Sequence, residues 1–201
     1  MSKKEIIAIQ ADSLNSINIK TDTTFLLALE AQKRGNKIYW YQTKDLNFIK
    51  GKVYANVEDI RFYENRSAFY KILKKRRFDL SKANYLLIRQ NPPFNMDYIT
   101  STFFLESISK TVKIINNPIA IRNVSEKFYS INFLKFMPPT IFTKDINEIK
   151  IFLKQNKKIV IKPVHGYAGK DILFIKNKID VSKVNKYIKK IGHVMVQKFL
   201  P

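Results

Sequence analysis

The stretch Lys158–Ile175, KIVIKPVHGYAGKDILFI, decides how this chain is read. Its β-branched run Ile159–Ile161 ends in Lys162-Pro163, a short loop with Gly166 and Gly169 follows, and a second β-like run covers Asp171–Ile175. β-Branched runs bounded by Gly and Pro mark strands, so the pattern predicts strand, loop, strand. Glycines let the backbone N–H groups of such a loop approach an anion closely, which is one way to hold phosphates. Lys162, at the end of the first strand, adds a positive charge aimed at the same place. This is not a Walker A loop, which needs G-x-x-x-x-G-K-[ST] opening a helix. A plain Gly-containing hairpin between two core strands would have the same spacing, so the surrounding chain has to decide.

On either side the same α/β grammar continues. Upstream, Thr140–Thr143 reads as a strand and Asp145–Gln155 as a helix capped by Asp145. Ser125–Leu134 (SEKFYSINFL) reads as a helix with Ser125 as cap, ended by Pro138-Pro139. Lys127 then falls in its first turn, against the helix dipole, which hints at an anionic partner. Downstream, Val181–Lys190 is helical and His193–Phe199 is a final strand. Neither His165 nor His193 has a metal or triad partner in sequence.

The amino-terminal half begins with a strand at Glu5–Ala11, a polar loop at Asp12–Thr21, and a helix capped by Thr21 or Asp22. Phe25, Leu26, Leu29 and Gln32 stack at helical spacing, and Gly35 sits where a C-cap glycine belongs. The strand Lys37–Tyr41 completes a βαβ pattern, the mark of a parallel sheet. Such sheets bind ligands at the carboxyl ends of their strands, which makes Asn18 and Lys20 in the first loop substrate-contact candidates. Leu46–Val57 predicts a hairpin turning at Lys50-Gly51, and Arg66–Lys75 a helix. Tyr85–Arg89 predicts a buried strand that ends in the stiff loop Gln90–Asn95, with Arg89 placed to grip a carboxylate by two hydrogen bonds. The alternative is an arginine paired to a structural acid. A helix at Asp97–Lys110 and a strand at Val112–Asn116 follow, and a boundary soon after Asn117-Pro118 gives domains 1–120 and 121–201.

Composition narrows the class. With 201 residues and 45% hydrophobic content the chain can bury a core. It has no cysteine, which excludes disulfides and thiolate metal sites. The apolar run in MSKKEIIAIQADS is too short for a signal peptide, and no stretch reaches the roughly 20 apolar residues of a membrane span. A soluble, cytoplasmic protein with no membrane partner is expected. The net charge of +21 would suit a polyanion, but the cations are spread along the chain and are mostly Lys. No nucleic-acid partner is therefore expected, and a basic nucleic-acid binder is the third-ranked reading.

Several stretches together resemble the prokaryotic glutathione synthetases, members of the ATP-grasp ligases. They are INIKTDTTFLLALEAQKRG (Ile17–Gly35), RQNPPFNMDYI (Arg89–Ile99), NNP (Asn116–Pro118), SEKFY (Ser125–Tyr129), IKPVHGYAG (Ile161–Gly169) and VQKFLP (Val196–Pro201). The resemblance implies an α/β fold: a Rossmann-like parallel-sheet domain followed by the first, partial portion of an ATP-grasp domain. It implies ligation of γ-glutamylcysteine and glycine through an acyl phosphate, with ATP as the nucleotide and a homo-oligomer compatible with the family. Lys127 and Lys162 would hold the phosphates, the Gly166–Gly169 loop would close over them, and Gln197, Lys198, Phe199 and Leu200 would form a strand-edge segment recognising adenine. Asn18, Lys20 and Arg89 would lie on the dipeptide side.

The chain also departs from the family pattern. Asn91 and Asn95 stand where the family shows Asp, His165 replaces an acid and Ala168 replaces a glycine. Magnesium is expected for the family, yet no Asp or Glu follows Asp180, so the ligands for it are not expected in this chain. The 201 residues alone are expected to be inactive: a fragment, one half of a split ligase, or a non-catalytic nucleotide-binding remnant.

Overall fold

The computed structural model describes residues 4–64 and 68–201, and the chain divides into two compact units, Met1–Asn123 and Val124–Pro201. The first unit runs β1 (Ile6–Gln10), α1 (Thr23–Lys33), β2 (Lys37–Tyr41), β3 (Leu46–Ile49), β4 (Lys52–Phe62), β5 (Tyr70–Asp79), β6 (Tyr85–Ile88), α2 (Met96–Glu106), β7 (Lys113–Ile115) and α3 (Pro118–Asn123). Its sheet has the order β3-β4-β2-β1-β6-β7, with β5 paired to the far side of β4. β1 is parallel to both β2 and β6, and β6 to β7. Alternation along the strands sends side chains to two cores. Ala8, Tyr39 and Leu86 pack with Leu105 of α2 on one face, and Ile9, Ile38 and Trp40 pack with Phe25, Ala28 and Leu29 of α1 on the other. This is the two-sided burial that parallel strands require.

Local signals explain the boundaries. Asp22 caps α1 by accepting from the Phe25 N–H at 2.9 Å. At the other end the Gly35 N–H bonds Gln32 O and the Asn36 N–H bonds Ala31 O, a Schellman closure made possible by Gly35 at φ +86°. The Gln32 side chain does not belong to the apolar stack: its amide both donates to Phe62 O and accepts from Phe62 N–H, docking α1 on the end of β4. The β3–β4 hairpin turns at Lys50-Gly51, both at positive φ.

One sequence expectation is corrected here. Arg66 and Ser67 of the expected helix lie outside the described residues, and Tyr70 to Lys75 belong to β5, an edge strand whose Lys71, Lys74, Lys75 and Arg77 are exposed. Tyr70, Ile72, Arg76 and Phe78 are more buried at the two-residue spacing of a strand, and Lys74, beside the register shift at Asp59/Ile60, is the exposed exception. Pro118 opens α3, with Asn117 Oδ1 accepting from the Ile119 and Ala120 N–H groups.

The second unit runs β8 (Thr140–Thr143), α4 (Ile146–Asn156), β9 (Lys158–Pro163), β10 (Leu173–Lys176), α5 (Val181–Ile191) and β11 (Val194–Lys198). Its sheet, in the order β10-β9-β11-β8, is antiparallel throughout. Ile149, Phe152 and Leu153 of α4 and Val184 and Ile188 of α5 pack on Ile159, Ile161, Val194 and Val196. Both helices therefore lie on one face. The expected helix Ser125–Leu134 is instead a 3-10 segment, Phe128–Phe136, with Phe133 in a non-helical conformation. Lys127 is its N-cap residue rather than a member of its first turn, and Ser125 contributes its backbone carbonyl to Tyr129 N–H. No helix among the described residues is long and apolar enough to cross a membrane.

Candidate functional site

β9 ends as the sequence suggests, with Lys162 and Pro163 leading into the loop that returns as β10. Ile159 and Ile161 point to the helices, so Val160 and Lys162 point to the opposite face. There the register sets Lys162 beside Met195, and Gln197 beside both Val160 and Thr140. A hollow of about 410 Å³ opens on this face, lined by Lys127, Lys162, Gly166, Gly169, Met195 and Gln197 among others.

Each lysine of this hollow is held by a neutral oxygen, and Lys127 also meets one carboxylate. Lys127 Nζ donates to Gly166 O at 2.7 Å and lies 3.1 Å from Glu126 Oε1, whose side chain is mostly exposed. Lys162 Nζ donates to Gln197 Oε1 at 2.7 Å. Burial, and next the charge of Lys127, hold the Lys162 ammonium below the ordinary lysine value. Two like charges facing one hollow suit an anion of more than one charge.

The loop over this hollow depends on its backbone. A Cβ on Gly166 would stand 2.4 Å from Pro163 Cγ, so only glycine fits. Ala168, Gly169 and Asp171 all have positive φ, and for Ala168 and Asp171 that conformation is strained. The far end is tied down by the Tyr187 hydroxyl, which donates to Asp171 O at 2.5 Å. Burial, and next the Asp171 carboxylate, push that phenol up to about 12.

The carboxyl-terminal candidates are placed differently from the sequence expectation. β11 lies between β9 and β8, so Gln197 and Lys198 are in an interior strand, not at a sheet edge. The Lys198 N–H bonds Pro139 O and the Phe199 N–H bonds Lys158 O, leaving neither donor free for a base. Lys198, Phe199 and Leu200 do not line the hollow; Gln197 does, through its side chain.

A second, smaller hollow of about 190 Å³ belongs to the first unit. Between β1 and β6 the strand order reverses direction, and ligands of open α/β sheets bind outside the carboxyl ends at such a switch point. Arg89 lines it, with Nε on Thr24 Oγ1 at 3.1 Å and Nη2 on Thr23 Oγ1 at 2.7 Å. Among the described residues no carboxylate pairs with it, so the structural-acid alternative is not what is found. Asp12 accepts at one oxygen from both the N–H and the side-chain amide of Asn91. An aspartate at position 91 would set two carboxylates against each other there. Asn18 and Lys20 do not line this hollow. Asn18 Oδ1 caps the Lys20 N–H at 3.1 Å in a local turn, and Lys20 lines a separate depression with Phe25 and Leu26.

Sequence reading did not single out Asp12, Thr23 or Thr24, which line the smaller hollow, nor Met195, which lines the larger, and Thr140, which accepts from the Gln197 side chain. Only the register of β8, β9 and β11 brings the last two into place. The residues present do not fit a magnesium site. Among the described residues no group of three or more His, Cys, Asp or Glu could hold a metal, and Glu126 is the sole carboxylate on the larger hollow.

Comparison with known proteins gives a consistent family. Residues 6–122 match the prokaryotic glutathione synthetase amino-terminal domain, and residues 126–201 match the ATP-grasp domain of the same family. A glutathione synthetase of Mesorhizobium japonicum is 38% identical over 169 residues, covering 84% of this chain and 54% of that protein. One from Buchnera aphidicola subsp. Acyrthosiphon pisum is 35% identical over 209 aligned residues, covering 100% of this chain and 65% of its own length. This chain thus spans about half to two thirds of such relatives. Among solved structures, D-alanyl-alanine synthetase A from Vibrio cholerae superposes with a TM-score of 0.63 at 12% identity, covering 100% of this chain and 61% of that one.

Proposed function

The chain belongs to the prokaryotic glutathione synthetase family, and on that premise we propose that it supplies the dipeptide side and part of the nucleotide site of an ATP-dependent carboxylate–amine ligase. Residues 1–120 act as the amino-terminal domain and 121–201 as the first part of the ATP-grasp domain. A carboxylate oxygen of γ-glutamylcysteine attacks the γ-phosphorus of ATP, the bond to the bridging oxygen breaks, and ADP leaves. The amine of glycine then attacks the acyl carbon, loses a proton, and phosphate departs to leave glutathione. Such an ATP-consuming ligase belongs in the cytoplasm.

One observation carries this reading: Lys127 and Lys162 converge on one hollow, a neutral oxygen restrains each, and among the described residues no carboxylate pairs with Lys162. Phosphoryl transfer needs cations at the β- and γ-phosphates and a cover that excludes water. The Gly166–Gly169 loop is that cover. Gln197 to Leu200, at and just past the end of β11, serves the base through groups other than the bonded Lys198 and Phe199 N–H donors. Arg89 grips a carboxylate on the dipeptide side, with Asn18 and Lys20 in outer positions. Magnesium would have to be held by residues outside this chain.

A second reading is a nucleotide-binding remnant or one half of a split ligase. It is favoured by the single carboxylate on the larger hollow. Calorimetric titration of the 201-residue chain with ATP tests the common premise. Saturable binding that weakens at least about tenfold in Lys162→Ala is expected, as for loss of a charge-assisted hydrogen bond. Wild-type affinity in Lys162→Ala would overturn it. Glutathione formation on adding a polypeptide equivalent to the rest of a relative separates the split ligase from the remnant.

A further inference from the structure

The reading of the larger hollow assigns Gln197 to the base, but its side chain has another task. Gln197 is 6% exposed and joins a four-member chain of hydrogen bonds. Thr140 Oγ1 lies 2.6 Å from Pro138 O, Gln197 Nε2 lies 2.9 Å from Thr140 Oγ1, and Lys162 Nζ lies 2.7 Å from Gln197 Oε1. Both ends of this chain have a fixed sense. The Pro138 carbonyl can only accept, so the single hydroxyl proton of Thr140 goes to it. Thr140 can then only accept from its other neighbour, which must be the NH₂ group of Gln197. The ammonium of Lys162 can only donate, so it requires the amide oxygen. The two requirements agree on one orientation of the Gln197 amide.

We propose that Thr140 and Gln197 are positioning residues that hold the Lys162 ammonium in the hollow while leaving its charge uncompensated. The ligand class that benefits is a phosphate-bearing anion, so the proposal rests on the nucleotide reading above. A carboxylate at position 197 would hold the same ammonium but cancel its charge and repel the phosphates. A side chain at 140 without a hydroxyl would free the amide to turn its NH₂ toward the ammonium, which repels it. The register supports the relay, because Thr140 and Gln197 are directly opposed on β8 and β11, and Lys162 lies on β9, the other neighbour of β11.

The test uses the whole chain, labelled with ¹⁵N at lysine side chains, and near-isosteric variants that keep a β-branched or long side chain in the sheet. Without ATP, the relay expects the Lys162 side-chain signal to shift in Thr140→Val and in Gln197→Met, and to return to its wild-type position in Thr140→Ser. An unchanged signal in Thr140→Val, or the same shift in Thr140→Ser, overturns the relay. With ATP, Thr140→Val is expected to weaken binding about tenfold, the loss typical of a hydrogen bond to a charged group, and Thr140→Ser to restore it. In a Lys162→Ala background Thr140→Val should have no further effect, since the relay acts only through that ammonium. Equal loss in both backgrounds means a merely structural role and overturns the proposal. A shifted signal in a protein that fails to bind ATP supports the relay and sinks the nucleotide reading, so the two failures are distinguishable.

Discussion

In the first unit both faces of the sheet are buried, one by α1 and the other by α2; in the second, α4 and α5 share one face, and the opposite face carries the larger hollow. The difference decides where each unit can present chemistry. A sheet covered on both sides has only its strand ends free, and the smaller hollow lies there, at the carboxyl ends of β1 and β6. A sheet covered on one side can use its flat face, where alternate residues of neighbouring strands meet. That is how Lys162, Gln197 and Thr140 come together from three strands. The polar atoms follow the same division. Arg89 and Asp12 are clamped by short, neutral partners, whereas Lys127 and Lys162 repel one another beneath a loop with strained residues.

The sharpest way to break this comparison is to damage one core and watch the other. Ile161→Ala should cost about 2–5 kcal/mol, as large-to-small changes at fully buried positions do, in the unit with the smaller core. Hydrogen exchange should then show lost protection in β9 and β11 while β1 and β6 keep theirs; equal loss in both would mean one cooperative core. Next in size is Asp22→Ala, which removes the cap of α1 and should cost about 1 kcal/mol. Urea unfolding followed by exchange in α1 peptides reads it, and an unchanged midpoint would deny the cap its role.

Ala168→Gly should act in the opposite direction. It relieves a left-handed alanine worth about 1–2 kcal/mol, partly offset by the unfolded-chain entropy of glycine, about 0.4–1 kcal/mol, leaving a net gain of up to about 1.6 kcal/mol. A lowered melting temperature would show that the loop is not strained there. The smallest effect concerns pH. Lys162 titrates below its ordinary value of 10.5 in the folded chain. Between that depressed value and 10.5 the unfolded chain keeps a proton that the folded chain has released, so stability rises with pH across this alkaline window. Lys162→Met should flatten the rise, measured as urea midpoints; parallel curves would mean the ammonium bears no burial penalty.

How far the sequence reveals all this depends on whether a signal is local. Asp22, Gly35 and the Lys50-Gly51 turn act on their immediate neighbours, and each does in the structure what its residue type suggests. The β-branched run before Lys162 is equally plain, because Ile159 and Ile161 need only a strand and a core. β5 was hidden because its two-residue count carries Lys74 and Arg76 alongside Tyr70, Ile72 and Phe78, while the apolar Leu73 faces outward at 54% exposure. Its lysines and arginines are moreover good helix formers. The site was legible only where one segment makes it. Lys127, Lys162 and the glycines announce themselves, but Thr140 looks like any strand threonine until antiparallel pairing sets it opposite Gln197. Likewise the interior position of β11 is a fact of strand order, which no stretch of sequence displays.

The ten-residue outer strand β5 has a consequence of its own. Among the described residues its outer edge pairs with no strand, and such an edge offers its peptide groups to any passing strand, the template on which fibres grow. Lys71, Lys74, Lys75 and Arg77 stud that strand with charge, so two copies meeting there would bring like charges together before any ladder could form. Part of the large positive charge of this chain thus works as a guard against polymerisation, protecting a crowded solution of the protein from its own exposed border.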